Sequence, residues 1–95
     1  MIEITGNLKM KKDKVIIMCK GIYDLLSGVE SFGSLNAAAK NIGMAYSKAW
    51  KIVVQEPKRV KTELITTNGV HGSFVTKEGK KLMQQWKEIN ESWKN

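Results

Sequence analysis

The chain has 95 residues, of which 42% are hydrophobic, and this predicts a single folded domain over residues 1–95 and argues against disorder. Its net charge of +7 and its isoelectric point near 9.6 favour a polyanionic partner, while the single cysteine excludes an intrachain disulfide and suits a cytoplasmic protein. The apolar run VIIMC is too short to cross a bilayer, and no spacing of His, Cys or carboxylates predicts a metal or a cofactor.

Residues 2–18 predict a β-hairpin. The segment ITGNLKM alternates in character, KKD is typical of a turn, and KVIIM is β-branched and apolar, so the second strand should be the better buried. A helix is expected next, from about Lys20 to about Ser31, because apolar residues recur on one helical face and Gly33 is well placed to end it.

The segment GSLNAAAKNIGMAYSKAW, residues 33–50, predicts two short helices around a tight turn. Ser34 is a good N-cap for a helix over Leu35–Asn41, and Gly43 supplies the left-handed conformation that the turn requires. The second helix should run from near Ala45 to about Glu56, with Pro57 just beyond its end. Small side chains of the first helix, Ala38 and Ala39, should let the second cross it closely, over a shared core formed by Ile42, Met44, Ala49 and Ile52.

Two strand-like pieces follow, near residues 63–66 and 73–75, and they flank the tip TNGVHG, in which Asn68 and Gly69 are a strong hairpin signal. Thr76 should cap a final helix that reaches about Trp93. A helix pair followed by a hairpin, or wing, and a capped helix is typical of an α+β winged helix-turn-helix fold, here with an N-terminal β-hairpin. In helix-turn-helix proteins the second helix of the pair enters the major groove of DNA.

This order of elements identifies candidate contacts to double-stranded DNA. Five basic residues lie between Ala45 and Lys61 against one acidic residue, Glu56. Polar and basic side chains there match phosphates and base edges, although a solvated helix face is the simpler alternative. Trp50 is expected to have a structural role, either packing under this surface or bracing the wing. The predicted DNA-binding residues are Ser34, Ala45, Tyr46, Ser47, Lys48, Lys51, Lys58, Arg59, Asn68 and His71.

The final helix carries an aromatic stripe. Leu82, Trp86, Ile89 and Trp93 recur at helical spacing, which usually indicates packing within one domain. The sharper hypothesis is a homodimer interface formed by these four residues, because uncovered tryptophans reduce solubility.

From about Gly21 onwards the chain resembles the DNA-binding domain of the molybdate-responsive transcription regulators and, more distantly, that of LysR-type regulators. The residues that carry the resemblance are GSLNAAAKNIGMAYSKAW, a glycine-containing wing and VTKEGKKL. The resemblance implies DNA binding and dimerisation through elements that include the terminal helix. The wing segment TTNGVHGSF departs from the family in being short and nearly free of basic residues. The molybdate-binding domains of the family are missing, so the resemblance does not imply metal-oxyanion sensing, and no small-molecule effector is evident.

The leading prediction is therefore a dimeric, sequence-specific regulator of transcription that binds double-stranded DNA. The alternative is a winged-helix module that binds another protein through its tryptophan-rich terminal helix. An enzyme is not expected, because the sequence shows no nucleophile–base pair, carboxylate pair, phosphate-binding loop or metal cluster. A membrane partner is not expected either.

Overall fold

The computed structural model describes residues 2–67 and 72–94, with side chains through residue 92, and these form an α+β fold with two small antiparallel sheets. The first sheet has the order β1 (Ile2–Ile4), β2 (Met10–Lys12), β3 (Val15–Met18), and the second pairs β4 (Ile65–Thr67) with β5 (Ser73–Val75). The helices are α1 (Lys20–Phe32), α2 (Leu35–Asn41), α3 (Tyr46–Trp50), α4 (Glu56–Lys58) and α5 (Lys77–Lys94), with a π-helical turn over Lys51–Gln55 between α3 and α4.

The N-terminal region is a three-stranded meander rather than the predicted hairpin. The chain turns first at Gly6–Asn7, where the Thr5 N–H donates to the Lys9 carbonyl at 3.1 Å. It turns again at Asp13–Lys14, whose φ angles of 49° and 71° suit a tight hairpin. Treating ITGNLKM as one strand was wrong, because its glycine and asparagine form a turn of their own.

Helices α1 and α2 cross closely. A Cβ atom built on Gly28 of α1 would lie only 2.6 Å from the Cβ of Ala38 in α2, so both positions need small residues. Between the helices, Gly33 ends α1 as predicted, with a φ of 77° and an N–H that donates to the Val29 carbonyl at 2.8 Å. The small side chain of Ala38 therefore permits α2 to cross α1 closely. The sequence predicted instead that Ala38 would permit the close crossing of α2 with the helix that follows it.

The helix after the tight turn continues past its predicted end. It runs without interruption from α3 through the π-helical turn into α4, and we call this continuous element the α3–α4 helix. Pro57 lies buried within it, not beyond it. In a regular α-helix the proline ring clashes with the carbonyl four residues earlier. Here the Glu56 N–H donates instead to the Lys51 carbonyl, five residues back, so the helix is already widened where the proline enters.

The base of the β4–β5 hairpin is tied to the rest of the fold at two points. The Ser73 N–H donates to the Gly33 carbonyl at 2.9 Å, which joins β5 to the connection between α1 and α2. The Thr76 hydroxyl accepts from the Gly79 N–H at 2.9 Å, which confirms the predicted cap of α5, and donates to the Glu63 carbonyl at 2.6 Å. The two strands lie close to their predicted positions.

One apolar core joins α1, β3, the α3–α4 helix and α5. Ile17 and Met18 of β3 are buried while β1 is exposed, as expected for the better-buried later strand. Of the residues predicted to fill the core beside α2, Ala49 is buried and both Met44 and Ile52 are half-buried. Ile42 was placed wrongly, since it occupies the C-cap of α2 and is 37% exposed.

Candidate functional site

The turn at Gly43 fixes where α3 begins. Gly43 has a φ of 69°, and its N–H donates to the Lys40 carbonyl at 3.1 Å. The next N–H, that of Met44, returns to the Ala39 carbonyl at 2.9 Å, which ends α2 and reverses the chain. Ala45 is extended, with ψ at 140°, and α3 starts immediately after it. The predicted break and restart are confirmed.

The first turn of α3 presents its polar side to solvent. Tyr46, Ser47 and Lys48 are all exposed, and Lys51 is exposed one turn further on. The opposite side of the same helix is anchored by Ala49 and its buried apolar neighbours, which fixes the helix on the core. The predicted exposure of this face is therefore confirmed, and Ala45 at its N-cap is exposed too.

Trp50 belongs to this exposed face, although the sequence predicted a structural role for it, beneath this face or against the wing. Its side chain is 39% exposed and stacks on Tyr46, with ring centroids 6.4 Å apart and ring planes 30° apart. The two residues are one helical turn apart, so their spacing in sequence was a signal for this pair. We call the exposed face formed by Tyr46, Ser47, Lys48 and Trp50 the α3 surface, and it is aromatic as well as basic.

A shallow groove connects the start of α3 with the base of the β4–β5 hairpin. Its walls are formed by the first residues of α2, by Tyr46, and by hairpin residues that include Thr67 and Ser73. Ser34 lines this groove, but its hydroxyl accepts from the Ala37 N–H at 3.0 Å and so caps α2, as predicted. Asn68 and His71, both predicted contacts, lie outside the described residues.

Two basic residues downstream of α3 face a second groove. Lys58 and Lys61 line it together with Val54 and the segment 62–67, which includes β4. Arg59 is held by an ion pair with Glu56 at 2.9 Å, although its side chain remains largely exposed. Lys58 and Lys61 therefore lie along the hairpin side of the α3–α4 helix.

Lys51 lines a third hollow, which lies between the α3–α4 helix and the β2–β3 turn. Lys14 of that turn and Ile52 also line this hollow. The predicted basic residues thus spread over more than one side of the α3–α4 helix. Among the described residues, the ion pairs are those of Lys20 with Asp24 and of Arg59 with Glu56. Neither pair includes Lys48 or Lys51.

The first two residues of the α5 aromatic stripe face inward. Leu82 and Trp86 are only 4% and 5% exposed, and the Trp86 indole N–H donates to the Leu8 carbonyl at 2.7 Å. The Trp86 ring also packs on Tyr23, with centroids 5.0 Å apart. The predicted dimer interface at Leu82 and Trp86 does not fit this burial, because the chain's own core covers both side chains. Ile89 is half-buried, and the side chain of Trp93, the fourth residue of the predicted interface, lies outside the described residues.

Within residues 2–67 and 72–94, no group of His, Cys, Asp and Glu side chains is arranged to hold a metal ion. The helices described there also contain no segment of the length and apolarity needed to cross a membrane. No family model matches the chain, and no curated protein matches it either.

Proposed function

We propose that this protein is a winged helix-turn-helix regulator of transcription that binds double-stranded DNA. The observation that carries the proposal is the solvent exposure of Tyr46, Ser47 and Lys48 directly after the Gly43 turn. A helix that presents its first turn in this way matches the recognition helix of helix-turn-helix proteins, and the major groove is wide enough to admit it. In this proposal the β4–β5 hairpin is the wing.

The positive charge of the α3–α4 helix, although it spreads over more than one side, also favours a polyanionic partner. The α3–α4 helix and the residues up to Lys61 hold five basic residues against one acidic residue. Lys48 and Lys51 are exposed and make no ion pair within the described part of the chain, so their charges are available to phosphates. Neutralising phosphates releases bound counterions, which gives affinity for any duplex and makes that affinity depend on salt.

We propose a homodimer as the specific DNA-bound form, since two half-sites multiply the specificity of one small domain. Burial of Leu82 and Trp86 means that a second copy would have to use other surfaces. The same burial weakens the alternative of a protein-binding module, because that alternative depended on an exposed tryptophan-rich terminal helix. DNA binding is therefore the function that the geometry supports best.

The test is a duplex-binding titration over a range of salt concentrations with the Lys48→Ala/Lys51→Ala double variant. If both lysines contact phosphates, the slope of log affinity against log salt becomes shallower by about 1.8, at about 0.9 per lost contact. The matched control is Lys80→Ala/Lys87→Ala, which removes the same charge from exposed positions of α5. Unchanged affinity of the first variant, or an equal loss in the control, would refute this surface as the DNA-binding site.

A further inference from the structure

Tyr46 and Trp50 form an exposed aromatic pair on α3, and phosphate binding by lysines does not explain why two aromatic rings are exposed there. We propose that Tyr46 and Trp50 read the C5-methyl groups of thymine in the major groove, and this rests on the proposed function above. The pair would then select sites in which A·T base pairs lie against the α3 surface. Trp50 becomes a specificity-determining residue under this proposal.

A difference between the two aromatic pairs found among the described residues supports this assignment. The Tyr23–Trp86 pair is part of the core, with centroids 5.0 Å apart and a hydrogen-bonded indole. The Tyr46–Trp50 pair is looser, at 6.4 Å, and its side chains are 47% and 39% exposed. Large aromatic residues are on average highly buried, so two of them side by side on the surface indicate a binding role.

The chemical groups in the major groove of DNA indicate which of them an aromatic pair would contact. The major-groove edges of guanine, cytosine and adenine offer hydrogen-bond donors and acceptors, whereas thymine adds an apolar methyl group. An apolar surface inserted there is matched by thymine methyl groups and leaves the polar edges of other bases unsatisfied. Ala45, which is exposed immediately before the pair, extends the same apolar surface.

Stacking on the bases of a single strand is the competing use of aromatic rings. It requires an open ring face, whereas the rings of Tyr46 and Trp50 are already arranged on each other, with their planes 30° apart. Their side chains are 47% and 39% exposed, so part of each remains available to small apolar groups. The geometry therefore favours contact with methyl groups in a duplex over stacking on unpaired bases.

The first experiment selects bound duplexes from a random pool and then replaces each thymine of the enriched site by deoxyuridine, which lacks only the methyl group. We expect at least one position at which this replacement weakens binding about fourfold, the effect of burying one methyl-sized group. A site without thymine, or one in which no replacement matters, would overturn the inference. Equal affinity for the corresponding single strand would overturn it in favour of base stacking.

The second experiment measures the ratio of thymine to deoxyuridine affinity in variants whose folding is checked by circular dichroism. Trp50→Ala should bring the ratio at the sensitive position close to one, and Trp50→Phe should largely retain it. The matched control is Phe32→Ala, which removes an exposed aromatic side chain from α1 and should leave the ratio unchanged. A ratio that survives in Trp50→Ala would contradict the role of Trp50.

The outcomes separate this inference from the function on which it rests. Failure to enrich any duplex would refute DNA binding and the methyl contact together. An enriched site that tolerates deoxyuridine throughout would refute the methyl contact alone and leave the proposed function standing. The deoxyuridine series uses the unaltered protein, so it is decisive even if Trp50→Ala does not fold.

Discussion

At the scale of single residues, the tightest constraint is the contact between Gly28 and Ala38. A Cβ on Gly28 would meet the Cβ of Ala38 at 2.6 Å and its Cα at 3.0 Å, so Gly28→Ala forces α1 and α2 apart. We expect a loss of about 1–3 kcal/mol in the free energy of unfolding, as for other overpacked cores. Urea denaturation measures this change.

The matched control for that substitution is in the same helix. A Cβ on Gly21 would meet nothing within 4 Å, so Gly21→Ala should be neutral or stabilise the protein by about 0.5 kcal/mol through the unfolded chain. Equal destabilisation by both variants would show that the loss reflects glycine in α1 generally rather than the crossing with α2.

Residues with a local chemical role could be predicted from the sequence. Ser34 and Gly43 act through hydrogen bonds and backbone angles of their nearest neighbours, so a short segment is enough to recognise them. The exposure of Trp50 and Ile42 could not be predicted in this way. Whether an apolar side chain on a helix is covered depends on which other elements pack there, and the pattern of the helix alone does not contain that information.

At the scale of elements, Thr76 connects the hairpin base with α5. Its hydroxyl accepts from the Gly79 N–H and donates to the Glu63 carbonyl, so Thr76→Ala removes both bonds. We expect a loss of about 1–2 kcal/mol in the free energy of unfolding, the usual cost of an N-cap. The Gly79 amide should also exchange its hydrogen faster. Thr76→Ser keeps the hydroxyl and should lose much less; equal losses would mean that the hydroxyl is not responsible.

The bounds of the elements were predictable except where one local signal had two meanings. Proline commonly follows a helix, but it also fits inside a helix when a π-helical turn precedes it, as it does at Pro57. The sequence KIVVQ gives no sign of that turn. Similarly, Gly6 and Asn7 could interrupt a strand or turn the chain. Pairing with β2 decided between those possibilities, and pairing is a property of the assembled sheet.

At the scale of the whole molecule, the positive charge after Gly43 is divided between different sides of the α3–α4 helix. The sequence predicted a basic segment after Gly43, and the structure distributes it along the α3–α4 helix, with Lys51 on one hollow and both Lys58 and Lys61 on another. Linear spacing could not predict this division, because it depends on the positions of the β2–β3 turn and of β4. Because of this division, we expect the effect of a charge substitution on duplex affinity to depend on its position.

Substitution of Glu56, the single acidic residue between Ala45 and Lys61, tests whether the position of a charge affects DNA binding. Glu56 holds Arg59 in an ion pair at 2.9 Å, so Glu56→Gln both removes a negative charge and releases the guanidinium. If Arg59 then gains a phosphate contact, duplex affinity rises at low salt and its salt dependence steepens by about 0.9. The free energy of unfolding should fall by less than about 1 kcal/mol, because exposed ion pairs contribute little.

Glu91→Gln is the control for this prediction, because it makes the same change of charge at an exposed position on α5. We expect it to leave duplex affinity nearly unchanged. At moderate salt the Debye length is about 10 Å, so a duplex is attracted most strongly by charges within that distance of its phosphates. If the duplex binds at the α3–α4 helix, only Glu56→Gln should therefore change its affinity. Equal gains would show that the duplex responds only to net charge, and the α3–α4 helix would then lose its place as the binding surface.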